Sequence, residues 1–71
     1  MERAIAEQLL RTFLAMNEPL NSATLLTAKI ESKDEQESLR RAIGNVMQVI
    51  YIDLMRPVIR QHPDLDPDRP R

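Results

Sequence analysis

The sequence predicts an all-α protein: a three-helix unit of two short helices and a long third helix, kinked or ended at Pro57. Three observations carry this. Apolar residues recur at helical spacing, as in Ile5, Leu9, Phe13 and Met16. The composition is aliphatic, 42% apolar with one Gly and two aromatic residues, Phe13 and Tyr51, which favours helices over sandwiches or barrels. Good capping residues precede the apolar runs.

The first helix is expected over about residues 2–16. Leu10 and Leu14 widen its stripe, and Glu2, Arg3, Glu7, Gln8 and Arg11 fill the other side. Glu7 and Arg11 stand four apart, in the favourable order for a pair. Pro19 biases Glu18 away from helical geometry, so the helix should stop near Asn17.

The second helix is expected over about 22–31, with Asn21 as N-cap. Leu25, Leu26 and Ile30 form its stripe, and Leu20 packs on Leu25 as a staple. Ser32 and Lys33 end the segment.

The third helix is expected over about 35–56. Asp34 and Glu37 form a box at its start, and Glu35 adds acid to its first turn. Leu39, Ile43, Val46, Ile50 and Leu54 make a packing seam. Gly44 marks either a close crossing or a tolerated glycine, at up to about 1 kcal/mol relative to Ala. The β-branched run from Val46 to Ile52 has strand propensity, but no second convincing strand exists to pair with it. Pro57 breaks or kinks the helix, and residues 58–60 add at most a turn. Residues 1–61 thus form a single helical domain. Residues 62–71, rich in Pro and Asp, form an extended solvated tail.

At 71 residues the chain is one domain. A domain of this length buries only about 60% of the surface its unfolded chain exposes. Without cysteine, disulfides, thiolate metal sites and cysteine nucleophiles are excluded, and a cytoplasmic location fits. Oligomerisation is the remaining aid. The second half of the third helix is apolar on all sides, and such a helix must be buried on all sides. Two short helices cover one face. Met47, Ile50, Tyr51, Leu54, Met55 and Val58 are therefore the expected association face, met by a second copy or by another protein. The alternative is a monomer whose third helix is covered on both sides.

Candidate chemistry is sparse. His62, the single histidine, stands beside Pro63 in the tail with nothing to orient it. Asp64, Asp66 and Asp68 alternate as at the start of a calcium loop, but Arg69 holds the position that needs Gly. Asp53 interrupts the apolar run and either pairs with Arg56 or marks the solvent edge. Lys29, Lys33, Arg40 and Arg41 are offset by Asp34, Glu35 and Glu37, giving a solvated face with Arg40 paired to Glu37. Ser22, Ser32 and Ser38 lie near helix starts, where hydroxyls serve as caps.

The net charge of −1 gives no attraction for nucleic acid or anionic lipid. The N-terminus lacks the basic start and unbroken apolar core of a signal peptide. The apolar run from Val46 to Met55 is shorter than the roughly 20 residues of a membrane span. No catalytic set, cofactor motif or metal-ligand spacing is present. The expectation is a non-enzymatic helical interaction or adaptor protein working as a homodimeric bundle. The alternative is a helix-turn-helix-like nucleic-acid regulator, against which stand the acids opening its recognition helix.

Overall fold

A computed structural model describes residues 1–67 of the chain. All of its regular elements are helical, and the stretch from Val46 to Ile52 is helix rather than strand. The elements are α1 (Arg3–Ala15), α2 (Asn17–Leu26), α3 (Lys33–Val49) and α4 (Arg56–Gln61). A 3-10 turn, Thr27–Lys29, extends α2, and a π segment, Ile50–Met55, joins α3 to α4. The outcome is two long helical rods rather than three separate helices.

Both departures from expectation come from how a proline is absorbed. Pro19 does not end the first helix and leave a loop. Met16 stays in right-handed helical geometry, with φ −67° and ψ −20°, and its N–H bonds the Phe13 carbonyl at 3.1 Å. The chain tightens for one residue and restarts at Asn17. Pro19 then falls in the first turn of α2, where an N–H would have no partner within the new helix. Asn21, expected as the N-cap, is an exposed residue inside α2, and the expected staple is absent because Leu25 is 76% exposed.

Pro57 is absorbed in the second rod. In a regular α-helix its ring would meet the Asp53 carbonyl one turn back. The π segment widens the helix just before it, and the Arg56 N–H bonds the Tyr51 carbonyl. π turns of this kind are a known cause of helix bending. The helix neither stops nor breaks, and Lys33–Gln61 runs for 29 residues.

Residues 30–32 connect the rods. Ile30 leaves the helix at ψ 127°, and Ser32 caps α3 by accepting from the Glu35 N–H at 3.3 Å. The cap is thus Ser32, not Asp34, and Asp34 and Glu35 lie in the positively polarised first turn. A Ser with Glu three residues on is itself a capping-box pattern.

α1 contacts the π segment and α2 contacts α3, so the rods run antiparallel as a hairpin. The core lies toward the open end. Ala6 and Leu10 of α1 pack with Ile50, Met55 and Val58, and Phe13, Leu20, Ile59 and Leu65 line its margin. Neither α2 nor α3 holds a fully buried side chain. They are joined by a polar lock instead. Arg40 donates from Nε to Thr27 Oγ1 at 2.8 Å. Gln36 donates to the Thr27 carbonyl at 3.0 Å.

The open end is clasped. The Met1 ammonium donates to Gln61 Oε1 at 2.8 Å, the Met1 carbonyl lies 3.0 Å from His62 Nε2, and Arg3 pairs with Asp64. Residues 63–65 form a 3-10 turn that sets Leu65 against the core. The start of the expected extended tail is therefore folded back, because Leu65 gives it an apolar anchor. Asp68, Arg69 and the rest of the tail lie outside the described residues.

Candidate functional site

The chemistry-bearing residues do not converge. Among the described residues no group of three or more His, Asp or Glu side chains gathers. His62 holds the Met1 carbonyl at the chain ends, far in sequence from Arg40. Asp53 is exposed, forms no ion pair among the described residues and marks the solvent edge. Arg40 turns to Thr27 rather than to Glu37, and Glu7 pairs with Arg3 at 3.4 Å rather than with Arg11. Every buried side-chain N or O among the described residues has a hydrogen-bond partner.

What the structure offers among the described residues is apolar surface, including two grooves. The first is a groove of about 220 Å³ lined by Leu14, Asn17, Met47, Ile50, Tyr51, Met55 and Pro67. Four of the six expected association residues meet there. The six do not form one open face, however. Ile50, Met55 and Val58 belong to the core, Met47 is half-buried, and Tyr51 and Leu54 are exposed. The π segment is the reason. It changes the winding of the helix where the sequence pattern assumes a constant 3.6-residue period.

The second groove lies between α2 and α3. About 380 Å³ in volume, it is lined by Ala23, Leu26, Thr27, Ile30, Leu39 and Ile43. Beside it an exposed row runs along α3: Leu39, Ala42, Val46 and Val49, then Ile52. Leu39, Val46, Val49 and Ile52 are each about half exposed, at 48–52%. The row was hidden in the sequence because Leu39 and Val46 share a seam pattern with Ile43 and Ile50, which turn inward.

Lys33–Gln61 is also long and apolar enough to cross a membrane, by length and composition alone. The apolar run of the sequence ends at Met55, whereas the helix continues through Pro57. The charged side chains of Asp53 and Arg56 lie within it, and both are exposed.

No family model matches this chain, and neither a curated protein nor a solved structure matches it significantly.

Proposed function

We propose that this chain is a non-enzymatic helical interaction protein that works as a homodimer in the cytosol, two hairpins closing into a helical bundle. The observation that supports it is uncovered surface. The accessible area is 5601 Å², against about 4,500 Å² for a compact chain of this mass. The radius of gyration is 15.1 Å, against about 11 Å for a compact domain of this length. Twelve large hydrophobic side chains are exposed among the described residues, more than scattered surface leucines account for. A two-helix hairpin has no third layer to cover them, and bundles supply that layer from a second pair of helices.

Sedimentation equilibrium over a wide concentration range tests the proposal. A dimer at micromolar concentration is expected. A folded monomer throughout that range overturns it. Salt-dependent DNA binding would favour the helix-turn-helix alternative, although Asp34 and Glu35 in the first turn of α3 oppose phosphate.

A further inference from the structure

We infer that the dimer is antiparallel, with α3 of two copies meeting on the row Leu39, Ala42, Val46 and Val49, about a two-fold axis beside Asn45 and Val46. This rests on the homodimer reading above and adds the face, the direction and the register. The row steps by three, four and three residues, the spacing of a seam between two helices. One further step each way reaches Glu35 and Asp53, and another reaches Arg56. All of these side chains are exposed. Glu35, Asp53 and Arg56 form no ion pair among the described residues.

An axis between Asn45 and Val46 sets Glu35 opposite the partner's Arg56. It also sets Ser38 opposite the partner's Asp53, Leu39 opposite the partner's Ile52, and Ala42 opposite the partner's Val49. Leu39 and Ala42 then meet apolar side chains, Val46 stands at the axis beside the partner's Asn45, and the charges at the ends are of opposite sign. Because the axis is two-fold, each of these pairs occurs twice. A parallel dimer would instead stack Glu35, Asp53 and Arg56 each on its own copy, which like charges oppose. An antiparallel shift by half a heptad sets Glu35 on Asp53 or Arg56 on Leu39.

The groove between α2 and α3 argues for the same occupant. Leu39 forms part of its wall, and in this register the partner's Ile52 stands opposite Leu39. Ile52 is 48% exposed and Leu26, across the groove, is 58% exposed. One side chain seated in the groove covers both. The area agrees: the chain exposes roughly 1,000 Å² more than a compact monomer, and a standard interface buries about 800 Å² per partner. The π segment beginning at Ile50 winds the end of the row round the helix. The two α3 helices therefore cross at an angle, with contact centred on Ala42–Val49 and the long Arg56 side chain reaching outward to the partner's Glu35.

The cysteine-free chain makes the test direct. Single substitutions at exposed positions, each checked for unchanged helicity by circular dichroism, are oxidised and read by non-reducing mass. Asn45→Cys is expected to form a covalent dimer. Glu35→Cys is expected not to, because its two copies would lie about 30 Å apart at 1.5 Å per residue. A mixture of Ala42→Cys and Val49→Cys, which face each other at the centre of the contact, is expected to give the mixed dimer. Glu35→Arg and Arg56→Glu should each weaken association about five-fold, and the double variant should restore it.

A wild-type dimer in which Glu35→Cys links to itself overturns the antiparallel register and leaves the homodimer standing. A folded wild-type monomer overturns both. Flotation of the wild type with lipid vesicles, without dimer in their absence, overturns both in favour of a membrane occupant for the same face.

Discussion

Arg40 reaches across the hairpin to Thr27, its Nε 2.8 Å from a hydroxyl oxygen that itself donates to the Thr24 carbonyl at 2.6 Å. Thr27 is the one buried polar residue among those described, at 4% exposure. It sits where α2 tightens into a 3-10 turn, and its hydroxyl shares with its carbonyl, which accepts from Gln36, the task of tying the two rods at the end that has no apolar core. Thr27→Val keeps the shape and removes the acceptor. It should cost about 1 kcal/mol, read as a Tm lowered by roughly 4–8 °C for a domain of this size. In a double-mutant cycle Arg40→Ala should cost little more once Thr27 is already Val.

Leu10 is the largest core side chain of α1 and is 4% exposed. Leu10→Ala should cost about 2–5 kcal/mol. In so small a domain that is a large share of total stability. Loss of the cooperative thermal transition at room temperature is the expected result, and a Tm equal to wild type would show that the core does not lie between α1 and the π segment.

Gly44 has no neighbouring atom within 4 Å of where a Cβ would stand. Of the two expectations for this residue, the structure supports the tolerated glycine over the close crossing. Gly44→Ala should raise stability by about 0.5–1 kcal/mol, through the lower entropy of the unfolded chain and better helix propensity. Since Gly44 is not in the α3 row, dimer affinity should stay unchanged. A weaker dimer would place the interface on the opposite side of the helix.

Val46 and Leu25 form a matched comparison on the surface. Val46→Glu places a charge beside the proposed axis and should raise the dimer dissociation constant at least about ten-fold. Leu25→Ser alters the most exposed large apolar side chain, at 76%, outside the row. It should leave the dissociation constant as it is. Equal effects of the two, measured by sedimentation, would show that association is non-specific.

Asp64 ties the 3-10 turn after α4 to Arg3. Asp64→Asn should change global stability by under about 1 kcal/mol, as exposed pairs do. Its effect should be local. The Leu65 N–H, which bonds the His62 carbonyl at 2.9 Å, should exchange with solvent faster while amides of α1 do not.

The helical class, the position of α1, the approximate start of α3, and the membership of Leu10, Phe13 and Ile50 in apolar stripes were legible in the sequence. Each depends on local propensity and on a 3.6-residue period that holds wherever the helix is regular. The sequence pattern puts the cap too late, at Asp34 with Glu37, whereas Ser32 accepts from the Glu35 N–H. What only the tertiary structure decided is how the prolines act and which apolar face remains open. Pro19 and Pro57 each lack an N–H and crowd the carbonyl one turn back, and the sequence leaves open whether a helix ends there, tightens or widens. The packing of α1 against Ile50, Met55 and Val58 settles it. Widening the turn at Ile50–Met55 brings those three side chains to α1. The same change of winding splits the face that a constant period had assembled and leaves Leu39, Val46 and Val49 uncovered on α3.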